Sequence, residues 1–255
     1  MIRLTGKHAK TVSLANTSIQ KFAYLKIDRP SKYRNKKEEI MNKPMLQVAL
    51  DTLDIPAALE ATRALASEVD VLEVGTILCY AEGARTVAIL RSLYPDHTIL
   101  ADLKAADAGS TVAEIVFSRG ATWMTVICCA PYATMEAALK VAKKYQGDIQ
   151  IELYGDWTFE QAAKWLEIGL TQAIYHRGRD AAFAGQQWGE ADLAKIRKLT
   201  DMGFEVSVTG GLNPEDLGIF KGIPVKCFIA GRGLYQADDP ARAAREFKQA
   251  INQHW

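Results

Sequence analysis

"TILADLKAADAGSTVAEIVFSRG", residues 98–120, contains the repeating plan of the chain in one segment. It opens on a short apolar run of strand length and closes on a stretch whose apolar residues recur at helical spacing. Between them, Asp102, Lys104 and Asp107 put two carboxylates and an ammonium into six residues, among alanines and a glycine that leave room around them.

Outward from this segment the same alternation recurs on both sides. "MLQVALD" precedes "IPAALEATRALASE", "DVLEVGT" precedes "AEGARTVAILRSLY", and "WMTVICCA" precedes "ATMEAALKVAKKY". "DIQIELYG" leads to "TFEQAAKWLEIG", "QAIYHRG" to "GEADLAKIRKLTDMG", "FEVSVTGG" to "NPEDLGIF", and "VKCFIAGRG" to "DPARAAREFKQAIN". Apolar strands alternating with amphipathic helices imply a parallel sheet covered by helices. Eight such units are the number that closes a single-domain (β/α)8 TIM barrel. An open doubly wound sheet normally has a glycine-rich turn after its first strand. Here that strand runs into "ALDTLDIP", without glycine, so the closed barrel is expected over residues 41–255.

The remaining segment, residues 1–40, holds ten Lys and Arg against three Asp and Glu, leaving 21 against 27 for the rest of the chain. It lacks clear periodicity. It reads as a basic N-terminal extension, poorly ordered or upstream of a true start at Met41, rather than as a nucleic-acid-binding arm. No apolar run approaches the roughly 20 residues of a membrane span, and no signal peptide is apparent. Cys79, Cys128, Cys129 and Cys227 show no CxxC or zinc-ligand spacing and read as free thiols of a cytoplasmic protein. With 49% hydrophobic residues there is enough apolar material for a large core.

A barrel places its active site at the C-terminal ends of its strands. Reading those ends in order gives Asp51, Glu73 with Thr76, Asp102 with Lys104, Thr125, Glu152, His176, Thr209-Gly210-Gly211, and Gly231-Arg232. Several carboxylates on one rim repel one another unless a cation sits among them, either Lys104 or a metal. Asp102 and Lys104 are two apart in a strand and are expected on the same, inward side, with Leu103 outward. Glu73 and Asp102, on adjacent strands, suit Mg²⁺, which takes oxygen ligands and keeps waters. No HxH or HExxH pattern occurs, which argues against zinc. His8, His97 and His254 read as solvent-facing. "VTGGL" and "AGRGL", after strands seven and eight, have the glycines and the arginine of a phosphate cradle.

These motifs, "LQVALD", "VLEVGT", "ADLKAADAG", "TVICCA", "QIELYGDWT", "YHRGRDAAFAGQQWGEADL", "VTGG" and "FIAGRGLY", resemble the 3-keto-L-gulonate-6-phosphate decarboxylases, members of the orotidine 5′-phosphate decarboxylase suprafamily. The resemblance runs from about Met41 to Trp255. It implies a Mg²⁺-dependent carboxy-lyase of L-ascorbate or related sugar-acid catabolism, which decarboxylates a sugar-acid phosphate through a cis-enediolate. It also implies a homodimer with shared active sites. Carried over by position, Glu73 and Asp102 hold Mg²⁺, while Asp51 and Lys104 contact substrate oxygens and Asp107 reaches into the partner's site. Glu152, His176 and Arg179 serve proton transfer. Thr209, Gly210, Gly211, Gly231 and Arg232 hold the phosphate, and Thr76 lies beside the substrate. Two rivals share the architecture. Hexulose-6-phosphate synthases also carry DxKxxD, but typically read HxGxD where this chain has His176-Arg177-Gly178-Arg179-Asp180. A non-catalytic sugar-phosphate-binding barrel would need the cradle, but neither the metal pair nor the lysine.

Overall fold

Side chains alternate across each strand, and here that alternation builds two cores. The structure, a computed structural model, describes residues 43–178, 180, 184–185 and 187–255. The segment 1–40 lies outside these. Among the described residues, eight parallel strands close in sequence order into a barrel: β1 Met45–Leu50, β2 Val71–Val74, β3 Thr98–Ala105, β4 Trp123–Ile127, β5 Asp148–Leu153, β6 Gln172–His176, β7 Glu205–Thr209 and β8 Val225–Ala230. Parallel pairing of β8 with β1 completes the ring, so the expected (β/α)8 fold holds.

Val71, Leu100, Ile174, Cys227 and Ile229 pack inside the barrel against Met45, Ala49 and Trp123. Their neighbours in sequence, Leu72, Ile99, Ala101, Ala173 and Phe228, face outward into a larger core under the helices, with Leu65, Leu90, Phe117, Trp165 and Phe247. Each fully buried Leu or Phe there contributes about 1.5–3 kcal/mol relative to exposure. The inward positions also hold amides: Gln150 Nε2 donates to Gln172 Oε1 at 2.9 Å.

The helices begin where the sequence supplies caps. Asp54 accepts from the amide of Ala57 at 2.8 Å to start α1, Ile55–Leu65. Beyond β2 the chain departs from the single helix expected over 81–94. It forms α2, Thr76–Glu82, then α3, Arg85–Leu93, because Gly83 takes a left-handed φ of 68° and ends the first. Next come α4, Gly109–Phe117, and α5, Tyr132–Lys144. A reciprocal Thr158–Gln161 capping box opens α6, Phe159–Glu167. The remaining α-helices are α7, Glu190–Asp201, α8, Arg232–Tyr235, and α9, Pro240–His254. "NPEDLGIF" folds as a 3-10 helix, Pro214–Phe220. Two of the three histidines expected to face solvent are instead partly buried. His97 lies 2.7 Å from the carbonyl of Ala66 with its ring edge-on to Tyr94, and His254 packs edge-on to Trp255. His8 lies outside the described residues.

Helices α4 and α5 meet closely at Gly109. A Cβ there would stand 2.0 Å from the backbone oxygen of Thr134, which cannot swing aside as a side chain can. Gly109→Ala is expected to destabilise the protein by about 3 kcal/mol, toward the upper end of overpacking costs. This would be read as a lowered urea midpoint at unchanged slope. An unchanged midpoint would contradict this packing.

Candidate active site

The end of β3 is irregular, and the irregularity sets the site. Ala101 pairs with Met124, but Ala105 already pairs with Val126, so β3 has two extra residues against β4. Lys104 takes up the excess with φ of 46°, a region that non-glycine residues seldom adopt. Thr125 pins the bulge: its hydroxyl accepts from the Lys104 amide at 2.8 Å and donates to Asp102 Oδ1 at 2.8 Å. Both Asp102 and Lys104 therefore face the barrel mouth as expected, through a bulge rather than by simple strand alternation.

A chain of polar contacts crosses five strand ends. Lys104 Nζ pairs with Asp102 Oδ2 and donates to the Thr76 hydroxyl at 2.7 Å, and that hydroxyl itself donates to Asp102 Oδ2. The same ammonium lies 3.6 Å from Glu152 Oε1, which contacts Nδ1 of His176 at 2.5 Å. With Nδ1 held there, Nε2 is left for other partners. The ring of Tyr154 stands edge-on to His176, 5.2 Å between centroids. Glu73 is buried and, among the described residues, receives one hydrogen bond, from Gln47. Asp51 receives the amide of Ile77, in the first turn of α2, at 3.3 Å.

These surroundings set opposite charge preferences on neighbouring carboxyls. Burial and the charge of Asp102 push Glu73 well above the usual carboxyl range, against the smaller pull of Lys104 and Gln47. Burial would also raise Asp102, but the Lys104 ammonium and the hydroxyls of Thr76 and Thr125 outweigh it and hold that carboxyl below its usual range. For Lys104, desolvation favours the neutral form, yet Glu152 and Asp102 together raise its affinity for the proton.

A cavity of about 630 Å³ opens at this end of the barrel. Ala49, Ile127, Ile174 and Ile229 supply its apolar lining. Its polar wall brings together Asp51, Glu73, Thr76, Asp102, Lys104, Glu152, His176, Thr209, Gly210, Gly211, Gly231 and Arg232, every one of them named from the sequence. Asp107 is not among them: it is exposed in the loop after β3. Arg179 lies outside the described residues. Tyr154, Asp180 and Asn213 line the cavity without having been singled out. Asp180 was legible as the end of the quoted His176–Asp180 run, whereas Asn213 had been read only as part of the next helix.

No group of three or more metal-ligating side chains occurs among the described residues. The donor set at Glu73 and Asp102 is a pair of carboxylates facing a wet cavity. That suits Mg²⁺, which commonly takes one or two carboxylates and fills its other positions with water and substrate oxygens. Glu73, buried beside a second negative charge, is the group whose charged form a divalent cation would stabilise most.

A family model described as orotidine 5′-phosphate decarboxylase / HUMPS family matches residues 44–247. This chain belongs to that family. Within the orotidine 5′-phosphate decarboxylase / HUMPS family it is 55% identical over 215 residues to the 3-keto-L-gulonate-6-phosphate decarboxylase UlaD of Salmonella paratyphi B, covering 84% of this chain and 100% of the relative. The crystal structure of KGPDC from Streptococcus mutans in complex with ribose 5-phosphate matches with a TM-score of 0.82 and 52% identity, over 83% of this chain and 99% of that one. A 3-hexulose-6-phosphate synthase structure matches at 32% identity and a TM-score of 0.76, over 81% and 99%. The resemblance read from the motifs is thus borne out, and the aldolase branch of the family is the more distant one. Among the described residues no helix is long and apolar enough to cross a membrane.

Proposed function

We propose that the protein decarboxylates 3-keto-L-gulonate 6-phosphate to L-xylulose 5-phosphate and CO2 in L-ascorbate or related sugar-acid catabolism. We place it in the cytoplasm as a homodimer whose Asp107 serves the partner's site. The observation that carries this reading is the Asp102–Lys104–Glu152–His176 chain beside Glu73, on one wall of the cavity. Identity to the decarboxylases well above that to the hexulose synthase supports it.

Loss of CO2 from a β-keto acid leaves an electron pair that spreads onto the adjacent carbonyl oxygen, giving a cis-enediolate. Charge therefore develops at an oxygen during the reaction, and a fixed cation beside it lowers the barrier. Lys104, held by Asp102 and Thr76, is that preorganised cation. Mg²⁺ bound by Glu73 and Asp102 would supply Lewis-acid charge at the same place. Asp51 orients substrate hydroxyls. The apolar lining from Ala49, Ile127, Ile174 and Ile229 limits water around the developing charge. The carbon left by CO2 then needs a proton. Glu152 fixes the ring of His176 so that Nε2 delivers it, directly or through a water that Arg179 positions. At the opposite wall, Thr209, Gly210, Gly211, Gly231 and Arg232 take the phosphate.

His176→Asn is expected to lower kcat about a hundredfold, the low end of general-acid contributions, with a small change in KM. A kcat within threefold of wild type would remove His176 from proton delivery. Substrate class is tested by CO2 release over a panel of keto-hexonate 6-phosphates, with formaldehyde plus ribulose 5-phosphate as the aldolase control. The expected result is fastest turnover of 3-keto-L-gulonate 6-phosphate. Faster aldol addition than decarboxylation would make the synthase reading correct instead.

A further inference from the structure

Arg177 follows the β6 residue His176 and points away from the cavity. It is 8% exposed, and its guanidinium lies 5.0 Å from the ring of Trp188. Nη2 donates to the carbonyl of Gly210 at 2.6 Å and approaches that of Gly211 at 3.4 Å. Nε and Nη1 are buried without a hydrogen-bond partner, and no carboxylate pairs with Arg177 among the described residues. An arginine buried without a carboxylate is costly, because its charge has lost water and gained no counterion.

The loop it touches is the one after β7. Every described peptide bond is trans, so each carbonyl points opposite to the N–H of the following residue. Drawing the Gly210 and Gly211 carbonyls toward Arg177 turns the amides of Gly211 and Leu212 the other way, toward the cavity that both residues line. Neither amide donates to a protein acceptor among the described residues. The close approach requires glycine at 210: its φ is 123°, and a Cβ there would stand 2.2 Å from the Arg177 carbonyl oxygen.

We propose that Arg177 is a positioning residue for the anion-binding loop, fixing two successive peptide planes so that the Gly211 and Leu212 amides meet the phosphate, with its own charge behind them. This rests on the reading of the β7 and β8 loops as the phosphate site. Arginine suits the task because its planar fork can span two carbonyls, whereas lysine is a point donor. The ligand class is a phosphate monoester dianion, whose charge offsets the guanidinium across the thickness of one loop.

Inorganic phosphate binding is measured by calorimetry for wild type, Arg177→Met, Arg177→Lys and Arg232→Met, with kcat and KM on the sugar phosphate. Arg177→Met is expected to weaken phosphate binding and raise KM by about tenfold each, with kcat within about threefold of wild type. Arg177→Lys should recover only part of the loss. In ¹⁵N-labelled wild type, phosphate should shift the Gly211 and Leu212 amide resonances, a readout that stands even if Arg177→Met fails to fold. Wild-type affinity in a folded Arg177→Met protein, or Gly211 and Leu212 amides that stay put while Gly231 moves, would overturn the proposal. The second result, with Arg232→Met still losing affinity, would leave the phosphate site intact and remove only Arg177. Arg232→Met binding phosphate like wild type, with no loop amide shifting, would bring down the phosphate-site reading and this inference together.

Discussion

Lys104→Met should lower kcat about a thousandfold while the barrel stays folded, as judged by far-ultraviolet circular dichroism. Lys104 is the one ammonium in the polar chain, and both Asp102 and Glu152 depend on it. Removing a preorganised charge that acts on a developing oxyanion costs on the order of 10²–10³ in rate, and the upper value applies here because the same change disturbs Asp102. Without the cation, burial acts on that carboxyl almost unopposed and pushes it upward. Some stability is lost as well, since two buried carboxylates lose a partner. The side chain of Lys104 is 24% exposed to the cavity, so water can replace part of what is removed, and about 1–3 kcal/mol is expected rather than the full cost of breaking a dry ion pair. Turnover within tenfold of wild type would exclude Lys104 from the chemical step.

The second large effect separates activity from stability in opposite directions. Glu73→Gln should abolish the response to Mg²⁺ and lower turnover more than a hundredfold, consistent with several kcal/mol from a Lewis acid. It should also raise the melting temperature of the metal-free protein. Burial and the neighbouring charge of Asp102 both disfavour the Glu73 carboxylate, and a glutamine has no charge to disfavour. Its amide oxygen can still accept from Gln47. Relief of about 1 kcal/mol corresponds to roughly 2–4 °C in a domain of this size. A variant less stable than wild type, or one still activated by Mg²⁺, would show that Glu73 serves the packing of the barrel and not a metal.

Much of this site was readable before any coordinates because a barrel turns a one-dimensional rule into a ring. Once the unit at residues 98–120 recurs eight times, the last residues of each strand must converge. Twelve of the polar or glycine residues named in this way do line one cavity. What could not be read is how the chain bends to present them. The left-handed Lys104 depends on a hydrogen bond to Thr125, 21 residues away, which no local pattern encodes. Gln47, the donor to Glu73, lies in the middle of an apolar strand and looks like an ordinary interruption. Arg177 stood in plain sight between His176 and Gly178. Its role depends on carbonyls 33 and 34 residues further on, so it read as a spacer. The division of the second helix had a visible cause, since Gly83 sits inside "AEGAR" and a glycine in a helical pattern is also a stop signal.

The central claim is that Glu73, Asp102 and Lys104 form the charge-stabilising centre of a metal-assisted decarboxylase. CO2 release from 3-keto-L-gulonate 6-phosphate, followed continuously through chelation with EDTA and then addition of excess Mg²⁺, tests it most directly. The account predicts that CO2 production stops on chelation and returns with Mg²⁺ in the wild type, and does not return in Glu73→Gln. Undiminished CO2 release from the chelated protein would contradict it.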